Sequence, residues 1–357
     1  MIATLTLAAL VANQSREVVG TFAFFGCNRV EAEDFNAGKL QNPSSANLPQ
    51  LIQNLADIAK LKPDFAFFGG DEVLGYGDDD GRSLTSQLEA WVAVVGSAPK
   101  AQETAYVAIS GNHELNRKTA AGKVPNPLAD GIFSRIIESA GMVPHGIHAP
   151  DAALAKADRL ITDQGKLNFS FERGPVHYVV VDTDSRQAIP DAKTGDTKVA
   201  LVATLWLAAD LSDAERNPSI KATVILGHRN LVEPASSHGD SPIDPDCAKA
   251  MVAAIAKSPK VRAYVCAHVH AFDFTPIPGT GAYQVVLGNG GSKLEDDWHP
   301  AAGRTFGFGY FRVYGNGDVG FVPCFRPAPE QYNSAVPSDV PAATPLLELM
   351  MPAPSRP

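Results

Sequence analysis

Basic clusters are missing from this sequence. Its 30 Lys and Arg are scattered among 39 Asp and Glu, for a formal net charge of −9. Without a basic stripe, neither duplex nor single-stranded nucleic acid is an expected partner. Cysteine is scarce. Cys27, Cys247, Cys266 and Cys324 lie far apart with no CxxC pair, which excludes a disulfide framework and a zinc ribbon. Long apolar runs are missing as well. The opening run "MIATLTLAALVA" is too short to span a bilayer, and no other stretch is apolar for long enough. That run reads as a signal-peptide core, as a truncated remnant of one, or as a buried first strand. No Lys or Arg precedes it and the cleavage pattern is poor. A signal remnant implies an extracytoplasmic protein, periplasmic or secreted; a strand implies a cytoplasmic one. Nothing in the pattern assigns an oligomeric state.

What is present is ordinary globular material, 45% hydrophobic and 19% charged over 357 residues. Short apolar runs end in Gly plus a polar residue: "VGTFAFFG" (19–26), "DFAFFGG" (64–70), "AYVAISG" (105–111), "ATVILGH" (222–228) and "RAYVCAH" (262–268). Such runs predict fully buried strands. Between them, helical spacing of apolar residues marks 46–61, 84–95, 202–214 and 247–258. Alternation of this kind predicts an α/β layered domain. "NFSFERGPVHYVVVDT" reads as a hairpin turning at Arg173-Gly174-Pro175, and the strands after residue 280 look antiparallel, so the sheet should be mixed. The expected organisation is a leading segment 1–16, one domain over 17–326 with 115–163 as a cap insertion, and a tail over 327–357. That tail holds eight of the chain's 27 prolines and should be either extended, strapped over the surface, or disordered.

The strand ends carry Asp71, Asn112, His113, His228, His268 and His270, within "GGDE", "GNHE", "GH" and "HVH". Tips of neighbouring buried strands converge on one edge of an α/β sheet, where these folds place ligands. A carboxylate, an amide oxygen and imidazoles together suit a divalent transition metal such as Zn, Mn, Fe or Co. Each residue alone has a plainer reading: a helix cap for Asp71, a turn for Asn112, a core position for His228, and opposite faces of a strand for His268 and His270. Their order, each after an apolar strand, favours the metal.

That order resembles the calcineurin-like metallophosphoesterase family, on the side of its purple-acid-phosphatase-like branch. The likeness runs from Thr21 to Phe325 and includes the hairpin above, the helix with "LWLAADL" and the stretch "VVLGNGGS". It implies two mixed β-sheets sandwiched by helices, with a dinuclear metal site at one edge. It also implies hydrolysis of a small-molecule or macromolecular phosphate ester by a metal-activated hydroxide. Asp71 would bridge two metals, with Asn112, His228 and His268 completing one shell and His270 belonging to the other. His113 would protonate the leaving oxygen, with Glu114 orienting it.

The chain departs from that pattern at its first motif. Where the family has Asp-x-His, this sequence has Cys27 and Arg29, in "GCNR". Arginine stays protonated and cannot ligate a cation. Three readings follow. Arg29 stands in for one metal, pairing with Asp71 and offering its fork to a phosphate oxygen. Alternatively, the Cys27 thiolate, Asp71 and His270 form a three-ligand site. In the third, the site is degenerate and the protein is a binding or scaffold module. The first is adopted here, with one metal expected and two as the alternative. Catalytic roles fall to His113, Asp71 and Arg29, and substrate contacts to Arg29, Asn112, His113 and Arg229. Residues 72–83 should line the entrance.

Overall fold

The computed structural model describes residues 17–35, 44–76, 80–119, 122–161, 166–189, 197–233, 242–295, 304–328 and 340–353. The apolar run at 1–16, the loop tip at 77–79 and the tail segment 329–339 lie outside them. In chain order come β1 (Val18–Phe25), α1 (Leu48–Leu61), β2 (Phe65–Phe68), α2 (Arg82–Ser97), β3 (Ala105–Ala108) and the single turn α3 (Asn112–Leu115). Next are β4 (Asn116–Thr119), β5 (Gly122–Pro125), α4 (Ala129–Ser139), α5 (Ala152–Ala157), β6 (Phe169–Arg173), β7 (Val176–Val180) and α6 (Thr204–Arg216). Then follow β8 (Ala222–Leu226), α7 (Pro245–Ala256), β9 (Val261–Cys266), β10 (Phe272–Pro276) and β11 (Tyr283–Leu287). The last are β12 (Thr305–Tyr314), β13 (Val319–Pro327), β14 (Thr344–Pro345) and β15 (Leu349–Met351).

Two mixed sheets result. One has the order β14-β13-β12-β1-β2-β3, with β15 also on β13; the other has β10-β11-β9-β8-β7-β6. The alternation in β1 explains the layering. Phe22 and Phe24 face the second sheet, whereas Ala23 and Phe25 face helices. A strand apolar on both faces needs cover on both. Between the sheets, Phe22 stacks on its cross-strand partner Phe311 at 4.4 Å and meets Tyr178 of the other sheet edge-on at 5.7 Å. Outside the first sheet, Leu51, Leu55 and Ile58 of α1, Leu88 and Trp91 of α2, and Phe133 and Ile137 of α4 form a second core. Outside the second, Trp206 and Leu207 of α6 and Met251 of α7 form a third. The fold is therefore α/β, with helices on both sides of a two-sheet sandwich. Among the described residues no helix is long and apolar enough to cross a membrane.

The turn between β6 and β7 falls at Gly174-Pro175, as the hairpin pattern requires. One pairing differs from expectation. β11 runs parallel to β9 and antiparallel to β10, a half-exposed edge strand that the sequence pattern hides. Segment 115–163 contributes α4 to the core outside the first sheet. In the tail, β14 and β15 both add antiparallel to β13.

A buried ion pair ties that tail to the body. Arg326 of β13 is buried, donating to Gln50 and Asn54 of α1 and to Asp57 Oδ2 at 3.1 Å. Asp57 Oδ2 also accepts the Ala343 amide at 2.8 Å, and Oδ1 accepts from Lys60 and Gln53. Burial alone would raise the Asp57 carboxyl, but the Ala343 amide, Lys60, Gln53 and Arg326 outweigh it and hold the pKa below its usual value. A depressed carboxylate contributes stability above its unfolded pKa of about 3.9, which is lost as pH falls through the folded value. Urea midpoints should therefore fall between about pH 5 and pH 3, and Asp57→Asn should flatten that fall. An unchanged pH slope in the variant would remove Asp57 from the account.

Candidate metal centre

Parallel pairing puts the C-terminal tips of β1, β2, β3, β8 and β9 at one edge of the sandwich. The β1 and β2 tips stay paired beyond their strands. The Cys27 amide donates to the Gly70 carbonyl at 2.8 Å, and the Asn28 and Arg29 amides share the Asp71 carbonyl. Gly70, at φ +86°, leaves no room for a side chain: a Cβ there would lie 2.5 Å from His228 Nδ1. A Cβ on Gly111 would lie 2.5 Å from Asp71 Oδ1. These two glycines let the two sheets close on each other at the tips.

His228, fully buried, is the centre of the cluster. Its Nδ1 lies 2.8 Å from the Gly69 carbonyl and so carries the proton. In the neutral ring Nε2 is then a lone pair. It faces Asn112 Oδ1 at 3.1 Å, Asp71 Oδ1 at 3.3 Å and His268 Nδ1 at 3.2 Å. The Asn112 amide is oriented by its own Nδ2, which donates to the Tyr76 hydroxyl at 3.0 Å. Two oxygen acceptors and an imidazole lone pair thus converge in a buried spot. The donor set fits a divalent transition metal.

Cys27 belongs to the same cluster. Its Sγ, an Asp71 carboxylate oxygen and a His228 ring nitrogen lie within 4.8 Å of one another. In the alternative reading Cys27 and Asp71 share a site with His270; the donor atoms that lie this close to one another are those of Cys27, Asp71 and His228. Here the parallel tips carry Cys27 toward Gly70, while His228 reaches across from the other sheet to Gly69. His270 stands outside that trio, its Nδ1 donating to the Lys293 carbonyl at 2.7 Å. The four cysteines are all free; Cys266 lies in the core under α6 and α7, on the other side of its sheet from Cys27. Cys27, Asp71, Tyr76 and His268 all have left-handed backbone, at φ 54°, 57°, 48° and 59°. Each costs roughly 1–2 kcal/mol and persists only because the surrounding pairing holds it.

Arg29 lies beside Asp71, with Nε 3.9 Å from Oδ2, while Nη1 reaches Glu31 at 3.1 Å. Burial opposes its charge, but Asp71 and Glu31 hold its pKa above the usual value. Arg229 turns inward. Its Nε and Nη2 donate to Asp184 Oδ1 at 2.9 and 2.7 Å, and Nη1 lies 3.3 Å from His268 Nε2. A guanidinium only donates, so His268 Nε2 accepts and, in the neutral ring, the His268 proton sits on Nδ1. Burial first, then the Arg229 charge, pushes the His268 pKa well down.

His113 Nδ1 lies 2.6 Å from the Leu74 carbonyl, and Nε2 lies 3.9 Å from Asp71 Oδ2. Glu114 does not orient it. Its carboxylate instead accepts the amides of Asp71, Gly111 and Val73 at 3.0, 2.9 and 3.1 Å, tying the β2 and β3 tips together. Burial, then the Asp71 charge, pushes that carboxyl up to about 8.

Two residues at the site escape the motif reading. Tyr76 lays its ring against His113 at 4.0 Å between centroids and holds Asn112. It falls inside 72–83, where an aromatic between two glycines was the available signal. Asp184 anchors Arg229 and follows β7, a neighbour of β8, so "VVVDTD" had the same apolar-strand signature as the other tips. Asp182 supports it, accepting the Asp184 amide and the Ser185 hydroxyl at 2.9 and 2.8 Å.

A family model described as calcineurin-like phosphoesterase matches residues 41–272. No curated protein matches. Among solved structures, a dimetal phosphatase from Danio rerio is 12% identical, covering 94% of this chain and 100% of its own, with a TM-score of 0.53. The structure of PhoD is 13% identical, covering 94% of this chain and 70% of its own, with a TM-score of 0.57. At such identity these likenesses show the fold.

Proposed function

Since the chain belongs to the calcineurin-like phosphoesterase family, we propose that it hydrolyses phosphate esters with one divalent transition metal and His113 as the proton donor. The observation that carries this reading is the convergence of Asp71 Oδ1 and Asn112 Oδ1 on the His228 Nε2 lone pair. Those three residues would hold the ion. When bound, a metal supplies charge neutralisation for the ester and acidifies water at the site.

The remaining work falls to the chain. His113 donates Nδ1–H to the Leu74 carbonyl, so a protonated ring delivers its second proton from Nε2. The Leu74 carbonyl fixes the ring so that Nε2 is the atom that would give a proton to the leaving oxygen. Arg29 supplies a fixed positive charge beside Asp71, where the family's first motif would help to hold a second metal. Asp184 and Arg229 together hold the His268 ring.

The test is direct. Purified protein receives Zn, Mn, Co or Fe and is assayed on aryl phosphate monoesters and diesters. Turnover should appear with metal, vanish on chelation and return when the ion is restored; the faster ester assigns the substrate class. No turnover with any ion would leave a binding module that keeps the fold.

A further inference from the structure

We propose that Cys27 is the fourth donor of this centre, as a thiolate, and that the site therefore selects a thiophilic ion. The proposal deepens the single-metal reading above and rests on it.

Two observations place the sulfur there. Cys27 Sγ shares its neighbourhood with the Asp71 carboxylate and the His228 ring, all three side chains being buried. The backbone orientation is specific: Cys27 takes a left-handed φ of 54°, and its amide is used by the Gly70 carbonyl. Together these fix the direction in which the Cys27 side chain leaves the β1 tip.

The competing fourth donor is His268. Its Nε2 takes an Arg229 N–H, so in the neutral ring Nδ1 carries a proton and points it at His228 Nε2. The single lone pair of His228 Nε2 serves either that proton or an ion, so metal binding would displace the His268 Nδ1–H contact; with Nε2 held by Arg229, itself locked by Asp184, the neutral His268 ring offers the metal no lone pair of its own. Cys27, Asp71, Asn112 and His228 then supply one sulfur, two oxygens and one nitrogen. Bonds of about 2.0–2.3 Å to a common ion can gather such donors. On binding, the S–H bond breaks, the electron pair goes to the metal–sulfur bond, and the proton leaves to solvent.

Thiolate ligation favours Zn or Co over Mg or Ca, which prefer all-oxygen shells. It also leaves a spectroscopic mark independent of turnover. The chain is stripped of metal and titrated with Co²⁺ alone. The wild type should show a near-ultraviolet sulfur-to-cobalt charge-transfer band saturating at one ion per chain. Cys27→Ser should lose the band and bind Co²⁺ at least about tenfold more weakly. Cys247→Ser, which alters a half-buried cysteine elsewhere, should keep it. Cobalt bound without the band, or a band that survives in Cys27→Ser, overturns the thiolate and leaves the single-metal reading standing. No bound cobalt in the wild type overturns both. The wild-type spectrum decides the matter even where a variant folds poorly.

Discussion

His228→Ala is expected to lose the metal and, with it, all turnover above background. The imidazole is fully buried and uses both nitrogens, one on the Gly69 carbonyl and one toward Asp71, Asn112 and His268. Alanine removes the nitrogen donor. It also leaves the Gly69 carbonyl without its partner, a desolvation penalty of about 1–3 kcal/mol. Metal per chain by elemental analysis should fall toward zero, and added metal should not restore hydrolysis. The folded state should survive at a lower melting temperature, because most of the three cores is packed along the strands and helices and not at their tips. A variant that kept a full complement of metal would show that His228 is not a ligand.

The second large effect is expected at His113. His113→Ala should slow hydrolysis by about 10²–10⁴-fold, the usual contribution of a positioned acid or base. Metal content should not change, since the His113 ring lies outside the donor set around His228 Nε2. The size of the loss should depend on the leaving group. An aryl ester with an acidic phenol departs without a proton and should lose little. An alkyl ester needs the proton and should lose most. Equal losses on both esters, or a parallel loss of metal, would instead assign His113 a purely structural part. Tyr76 packs on this ring and also holds Asn112, so variants there should disturb proton delivery and metal binding together.

Much of this was legible because it is local. A strand buried on both faces is a continuous apolar run, and a tip that must turn toward a ligand needs glycine next to a donor. "DFAFFGG" before Asp71 and "ATVIL" before Gly227-His228 state both requirements within a few residues. Helices α1 and α2 follow equally from apolar spacing. β10 was illegible because a half-exposed edge strand ending in proline lacks that run. The strands of the tail were illegible because only β13 defines them.

The chain by itself determined the layered α/β plan and which polar residues stand at its strand tips, Asp71, Asn112, His113 and His228 among them. Those follow from periodicity and from residue type at strand ends. Tertiary structure alone decided which donors meet. It set Cys27 against His228, turned Arg229 inward onto Asp184, and gave Glu114 to three backbone amides of the tips. The physical reason is direction. Where a side chain points after a strand depends on the sign of φ at its tip and on how closely the opposite sheet approaches. Both are fixed by contacts between residues more than a hundred positions apart, such as Gly69 with His228.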